Sequence, residues 1–218
     1  MIVEICNESD VKHLCSNSPE GRNTKFLRSS HNLWTRFKNY EKNPPFVLKE
    51  NNQTKALIFA TMSQRSSYVN LYEIVTVEGQ EGKGHASNIW DAYVYHACSQ
   101  GMKRIKLSCT PTSVTWHARN GMVFWAVDPT GSLRSDQPLF KTRKEQCDFR
   151  EKAMQNPSLA FPDTKVCQAL IKESLESHSF GEKKTKRTLE AIESVKDYGL
   201  RDALVDSHNS NDLTQFIL

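Results

Sequence analysis

The alternation of apolar and polar positions predicts three strands in the first half of the chain. Two apolar segments, 46–48 and 56–60, flank the polar residues 50–54, which is typical of a β-hairpin. Residues 68–77 are rich in Val, Ile, Tyr and Leu, so they predict a third strand. Asn43-Pro44-Pro45 ends the stretch before the hairpin, residues 7–42, which we expect to be irregular or helical.

A helix is predicted after the third strand, because apolar residues recur there at the i, i+3, i+4 and i+7 spacing of one buried face. That face consists of Ala86, Ile89, Trp90, Tyr93, Val94 and Ala97. Gly101 stands where a left-handed C-terminal cap is expected. Ile105, Leu107 and Cys109 then alternate as the next strand, which Pro111 ends.

The remaining elements complete a mixed α/β pattern. Residues 113–120 predict a short helix closed by Asn120-Gly121, and residues 123–127 and 138–142 predict a hairpin across 128–131. From residue 46 the order is therefore β-β-β-α-β-α-β-β.

Beyond residue 143 the pattern turns helical, and the polar residues 143–158 separate this helical tail from the α/β part. Asp163 is a candidate cap of one helix, and a second helix would end at Gly199. We expect a domain at residues 1–142 and a helical C-terminal extension at residues 143–218.

Composition narrows the class of protein. The chain has 218 residues, of which 38% are hydrophobic and 25% charged, and this suits a globular protein with one main core. No apolar run approaches the roughly 18 residues of a membrane helix, and the first residues lack a signal-peptide pattern, so we expect a cytoplasmic protein with no membrane partner. The six cysteines show no CxxC spacing and the seven histidines do not cluster, so we predict free thiols and no metal site.

Charge is unevenly distributed along the chain. Residues 143–218 hold 12 Lys and Arg against 13 Asp and Glu, so the formal net charge of +4 leaves +5 on residues 1–142. A mildly basic domain suits an anionic partner such as a nucleotide, a cofactor or nucleic acid. An ordinary solvated surface carries the same excess, so charge alone leaves both open.

Three of the nine glycines, Gly79, Gly82 and Gly84, lie between the third strand and the helix. Glycine lets the backbone approach a ligand closely, and a helix N-terminus favours a phosphate, which Lys83 would reinforce. A Walker loop is excluded because Gly84 follows Lys83 where Ser or Thr is needed, and Ser87 weakens a dinucleotide fingerprint. A plain strand-to-helix turn stays open on the cluster alone.

The segment 81–86, Glu-Gly-Lys-Gly-His-Ala, resembles the [QR]xxGx[GA] signature of the GNAT superfamily of N-acetyltransferases. In that family the signature joins the fourth strand to the third helix, and a bulky apolar pair follows it, as Ile89-Trp90 does here. Glu81 stands where the family has Gln or Arg, with Gln80 beside it.

Two further segments carry the resemblance. Residues 116–122, Trp-His-Ala-Arg-Asn-Gly-Met, look like the family's [FY]YxxxGF segment, and residues 72–77 resemble its fourth strand. The resemblance covers roughly residues 46–142. It implies a mixed, mostly antiparallel central sheet flanked by helices.

The resemblance also implies a cofactor, acetyl-CoA or another acyl-CoA, bound between the fourth and fifth strands. The pantetheine amides would pair with the backbone near Val75 and Val77 as an added strand does, and the pyrophosphate would rest on the amides of residues 82–86. The cofactor-binding residues implied in this way are Val75, Val77, Gln80, Gly82, Lys83, Gly84, His85, Ala86 and Thr110.

The activity implied is transfer of an acyl group to an amine, which needs a base because a protonated amine has no lone pair. Glu73 is the candidate base, on the side of the strand that carries Val75; a surface glutamate paired with a lysine is the alternative. His117 stands where the family usually has a tyrosine that protonates the departing thiolate, and imidazole can transfer a proton near neutral pH. A buried histidine satisfied by its own helix is the alternative for His117.

Two other functions stay open at this point. A GNAT-fold enzyme that modifies a nucleobase in DNA or RNA would use the basic charge and aromatic residues of the first domain. A degenerate GNAT-like binding or regulatory protein would explain Glu81 and His117 at signature positions. No sequence motif indicates which amine is the acceptor. The C-terminal helices could cover the acceptor site, form a homodimer or cap the domain.

Overall fold

A computed structural model describes residues 1–16, 35, 43–110, 112–124, 126–127, 132–156, 159 and 190 of the chain. The chain divides into an N-terminal unit, Met1–Met102, and a C-terminal unit, Lys103–Leu218. In the described part of both units, no helix is long and apolar enough to cross a membrane. The four cysteines whose side chains are described, Cys6, Cys98, Cys109 and Cys147, are free thiols, as the sequence predicts.

The strands of the N-terminal unit follow one another in an antiparallel sheet. They are β1 (Ile2–Ile5), β2 (Phe46–Glu50), β3 (Gln53–Ser63) and β4 (Tyr68–Thr76). The predicted hairpin and third strand are confirmed. The turn between β2 and β3 places Asn51 and Asn52 at φ of 50° and 60°, a left-handed conformation that asparagine tolerates better than most residues.

Two helices of this unit are described, α1 (Glu8–Ser16) and α2 (His85–Ser99). The predicted helix and its buried face are confirmed in α2, except that Ala86 is half-buried. The helix ends as expected: Gly101 has φ of 82°, its amide donates to the carbonyl of Cys98, and the Met102 amide donates to that of Ala97. This pair of hydrogen bonds is a Schellman motif.

The sheet of the N-terminal unit is covered on both faces. Phe46 lies on the α2 face, where its ring contacts Tyr93 at a centroid distance of 5.5 Å. On the other face Phe59 and Val75 belong to one buried cluster with Val11 of α1. Burial on both sides explains why β3 is buried without interruption from residue 56 to residue 60.

The C-terminal unit contains a three-stranded antiparallel sheet in the order β5-β7-β6 and two described helices. Its elements are β5 (Arg104–Cys109), α3 (Val114–Arg119), β6 (Ala126–Val127), β7 (Leu133–Pro138) and α4 (Arg143–Gln155). The predicted element order and the predicted short helix are confirmed.

The predicted position of the last strand is wrong. The strand occupies residues 133–138 rather than 138–142, and β6 is limited to residues 126–127. The physical reason is that β7 buries polar side chains, Ser135, Asp136 and Gln137, which hydrogen bonds and ion pairs satisfy. An apolar alternation therefore does not mark this strand. Residues 128–131 lie outside the described residues.

The interpretation of residues 143–158 as a polar separator is also wrong, because residues 143–155 form α4. Thr142 caps α4 in a capping box: its hydroxyl oxygen accepts from the Glu145 amide, and the Glu145 carboxylate accepts from the Thr142 amide. The Thr-x-x-Glu spacing is visible in the sequence and marks this helix start. The domain boundary at 142/143 stays a prediction, and the helices predicted near Asp163 and Gly199 lie outside the described residues, apart from the single residue 190.

Candidate active site

The loop from Val77 to Gly84 joins β4 to α2 and contains the three clustered glycines. Gly79, Gly82 and Gly84 have φ of 76°, 75° and 81°, all in the left-handed region. A Cβ atom at any of them would meet nothing within 4 Å, so the backbone conformation, not lack of space, requires glycine. Gly82 and Gly84 flank Lys83, whose φ is not positive, and such alternation is typical of a nest of backbone amides that binds an anion.

The N-terminus of α2 opens directly onto this loop. Its N-cap residue is Gly84, which has no side chain to accept from the first amides, and the first turn contains no acidic residue. The first backbone hydrogen bond of the helix joins the Asn88 amide to the Gly84 carbonyl. Gly82, Lys83 and Gly84 are exposed, so the positive end of a 15-residue helix meets solvent at the nest.

Two charged side chains of opposite sign border the nest. The Lys83 ammonium donates to the Gln80 amide oxygen at 3.0 Å, which holds both residues beside the loop. Glu81 is exposed at the signature position where the family has Gln or Arg. A phosphate bound to the nest would be attracted by Lys83 and repelled by Glu81.

His85, which is predicted as a cofactor-binding residue, is the first residue of α2 and has a buried side chain. The residue is only 5% exposed, and in the described part of the chain neither ring nitrogen has a hydrogen-bond partner. Burial of unpaired polar atoms costs about 1–3 kcal/mol. A contact between His85 and a ligand on the loop therefore has to use the backbone amide, as does that of the half-buried Ala86.

Glu73 follows a β-bulge in β4. Phe59 pairs with Glu73 and Ala60 pairs with Leu71, so Tyr72 is an extra residue with no partner position on β3. Residues opposite each other in an antiparallel pair share a face, and Glu73 therefore faces the α1 side with Phe59. The expectation that Glu73 and Val75 share a side agrees with this register, since Val75 lies opposite Leu57, and Val75 and Leu57 belong to the same cluster as Phe59. One carboxylate oxygen of Glu73 is buried.

The backbone of Val77 is already engaged within the N-terminal unit. Its amide donates to the Lys55 carbonyl at 2.9 Å, and its carbonyl accepts from the Gln80 amide at 3.0 Å. The side chains of Val75 and Val77 are buried, so neither faces solvent. A ligand could use the second lone pair of the Val77 carbonyl, but not its amide.

His117 lies on α3 in the C-terminal unit and is 9% exposed. Its Nδ1 atom is buried, with no hydrogen-bond partner in the described part of the chain. Burial lowers the pKa of His117 from 6.5 to about 4, because the charged imidazolium loses solvation. His117 is therefore neutral at pH 7, and proton donation near neutral pH is disfavoured unless the ring first receives a proton.

Thr110 lies just after β5, at the start of a short hydroxyl cluster before α3. Its Oγ1 atom lies 3.1 Å from the Thr112 hydroxyl oxygen and 3.3 Å from that of Ser113, and its carbonyl accepts from the Ser113 amide. Thr110 is exposed, so its side chain can meet a ligand.

The predicted site residues thus fall into two groups. Glu73 and Val75 lie on β4 of the N-terminal unit, Val77 comes directly after that strand, and residues 80–86 belong to the loop and the start of α2. Thr110 and His117 belong to the C-terminal unit. Sequence reasoning missed the bulge at Tyr72, because the bulge depends on strand pairing that no local pattern encodes.

Comparison with known proteins identifies the fold. No protein-family model matches the sequence, and no curated protein matches it significantly. Solved structures do match. Aminoglycoside 6'-acetyltransferase type Ii aligns with a TM-score of 0.54 and 12% identity, over 64% of this chain and 98% of that one. Tetrahymena GCN5 aligns with a TM-score of 0.51 and 7% identity, over 65% and 98%.

A third structure, the ribosomal-protein-S18-alanine N-acetyltransferase from Escherichia coli, aligns with a TM-score of 0.50 and 9% identity, over 63% of this chain and 93% of that one. The chain therefore has the fold of GNAT N-acetyltransferases, and the fold class predicted from the sequence is confirmed. Nearly the whole length of each of these proteins is matched, whereas more than a third of this chain lies outside the match.

Proposed function

We propose that the protein is a CoA-dependent N-acyltransferase that moves the acetyl group of acetyl-CoA, or the acyl group of another acyl-CoA, to an amine. The observation that carries the proposal is the nest formed by Gly82, Lys83 and Gly84 at the uncapped N-terminus of α2. The GNAT fold supports it, since the structural neighbours are named acetyltransferases.

The cofactor would be held mainly by backbone groups. Its pyrophosphate would accept from amides of residues 82–86, with Lys83 as a point charge and Gln80 fixed beside it. The pantetheine arm would use backbone groups near Val75 and the carbonyl of Val77. The exposed Thr110 hydroxyl would make a further polar contact with the cofactor.

The chemistry would begin with attack of a neutral amine on the thioester carbonyl. Glu73 would take the proton that the amine nitrogen loses, directly or through water. The residue is half-buried opposite Phe59, and one of its carboxylate oxygens is buried. The tetrahedral intermediate would then collapse to an amide and release the CoA thiolate.

The departing thiolate needs a proton, and His117 is retained as its candidate donor with one condition. A neutral imidazole has no proton to give without becoming an anion, so His117 would have to accept a proton earlier in the same turnover. No described residue favours a nucleobase over another amine as acceptor, and the cytoplasmic location and the homodimer stay predictions.

Isothermal titration with acetyl-CoA tests the proposal, and the loop offers a matched control. Gly84→Ala and Gly79→Ala impose similar backbone strain, since φ is 81° and 76° and a Cβ at either position contacts nothing within 4 Å. Only Gly84 lies in the nest. We expect Gly84→Ala to weaken binding about tenfold, equivalent to about one lost hydrogen bond to a charged ligand, and Gly79→Ala to change it less than about twofold.

Equal losses in the two variants would show that strain, not the nest, controls binding. Absence of binding to the unmodified protein at millimolar acetyl-CoA would overturn the proposed function.

A further inference from the structure

Helix α4 contacts the C-terminal end of α3 through two side chains. The Arg150 guanidinium donates from Nη1 to the Ala118 carbonyl at 2.9 Å, and the Cys147 thiol donates to the Arg119 carbonyl at 3.7 Å. The Arg150 side chain is only 14% exposed. The last carbonyls of a helix lack partners within it and carry partial negative charge, so a buried cation stabilises that end.

The backbone of the turn after α3 also meets the backbone of α4 next to this contact. Gly121 has φ of 84°, and a Cβ atom there would lie 2.6 Å from the carbonyl carbon of Gln146 and 2.8 Å from the amide nitrogen of Cys147. Only glycine fits at that distance, so the turn after α3 has no room to shift toward α4.

A buried amide fixes the same turn from the sheet. Gln137 is 0% exposed; its Nε2 atom donates to the Gly121 carbonyl at 2.8 Å, and its Oε1 atom accepts from the Val123 amide at 2.7 Å. Residues 118–123 are thus held by α4 on one side and by β7 on the other.

We propose that Arg150 is a positioning residue that holds the last turn of α3, and through it the His117 ring, in its buried orientation. His117 belongs to the turn that Arg150 holds, since its carbonyl accepts from the amides of Asn120 and Met122 at 3.0 and 3.1 Å. A role of Arg150 in catalysis rests on the proposed function, whereas its contact with the last turn of α3 does not.

The test compares Arg150→Met with Lys152→Met, which removes the same charge from an exposed position of α4. The readouts are the pKa of the His117 ring by NMR, hydrogen exchange of the Met122 amide, and kcat and KM for acetyl-CoA. For Arg150→Met we expect the pKa to rise from about 4 toward 6.5, as the ring gains access to water, and Met122 exchange to accelerate about tenfold. We expect kcat to fall about tenfold with KM unchanged, and Lys152→Met to change none of these.

Arg150→Lys keeps the charge and N–H donors but loses the planar guanidinium, so it should give smaller changes in the same direction. This variant decides the matter if Arg150→Met does not fold. An unchanged His117 pKa and unchanged Met122 exchange in the Arg150 variants would overturn the proposal. If both change but the unmodified protein transfers no acetyl group, the proposed function fails and the positioning role stands.

Discussion

The glycine loop before α2 and the turn after α3 both depend on a left-handed glycine, yet they use it in opposite ways. At Gly84 a side chain would meet nothing within 4 Å, and the exposed backbone is left open at a helix N-terminus. At Gly121 a side chain would collide with the backbone of α4. The side chains of Arg150 and Gln137 hydrogen-bond to the backbone on either side of this turn and hold it in place. An exposed loop of backbone amides suits reversible binding of a ligand, whereas a tightly packed turn suits a side chain that must keep a fixed position.

Loss of the proposed base should produce the largest effect and would separate binding from chemistry within the N-terminal unit. Glu73→Gln keeps the shape of the side chain but removes the proton acceptor, so we expect kcat to fall about 100- to 1,000-fold. Affinity for acetyl-CoA should change less than about twofold, because the nest is untouched. Steady-state kinetics and isothermal titration measure the two quantities. Glu50→Gln, a half-buried residue at the end of β2, is the control. Unchanged turnover in Glu73→Gln would remove Glu73 from the mechanism.

The two glycines can be compared directly by stability. Gly121→Ala should lower the free energy of unfolding by about 3 kcal/mol, because the new methyl group overlaps a backbone that cannot move away. Gly84→Ala should cost only about 1 kcal/mol, the strain of a left-handed alanine without a clash. Urea unfolding of both variants gives the two values. Similar losses would mean that the turn after α3 is less closed than its contacts indicate.

The closed turn also predicts a smaller, pH-dependent effect. The His117 pKa is near 6.5 in the unfolded chain and about 4 in the folded protein, so between these values only the unfolded chain binds the proton. The stability due to neutral His117 is fully present above pH 6.5 and is lost as the pH falls toward 4. At 1.36 kcal/mol per pH unit, we expect the loss from this group to be about 2 kcal/mol between pH 6.5 and pH 5.

Other groups titrate in the same range, so the measurement is a difference. Urea unfolding at pH 7 and pH 5 should show a smaller loss in His117→Phe than in the unmodified protein. An equal loss in both would mean that His117 titrates normally and is not held in a buried position.

Sequence reasoning succeeded where a local pattern determines the structure. The element order from residue 46 could be predicted from such local patterns. They include the helical period of α2, the polar turn between β2 and β3, and Gly101 and Gly121, which follow α2 and α3. The open loop was predictable for the same reason, because glycines at a strand-to-helix junction indicate an exposed backbone without further context.

What escaped prediction depends on contacts between distant residues. β1 is only four residues long and mostly exposed, so it carries no burial pattern. β7 buries polar residues such as Gln137, so its sequence lacks the apolar alternation that marks a strand. The orientation of the His85 side chain into the core could not be read from its place in the signature. The hydrogen bond from Arg150 to the Ala118 carbonyl joins residues 32 positions apart in the chain, so no local sequence spacing indicates it.

The extra residue in β4 has a consequence for how Glu73 reaches its face of the sheet. Leu71 and Glu73 are two positions apart, and in a regular strand they would point the same way; because Tyr72 has no opposite position on β3, they point to opposite sides. Deleting Tyr72 would make Leu71 and Glu73 neighbours, and an uninterrupted ladder would keep them opposite Ala60 and Phe59, on the faces they occupy now. The bulge thus takes up one residue more than the ladder needs while each half of β4 keeps its partners on β3. The face of the proposed base is set by its pairing with Phe59 and not by the chemistry of any neighbouring side chain.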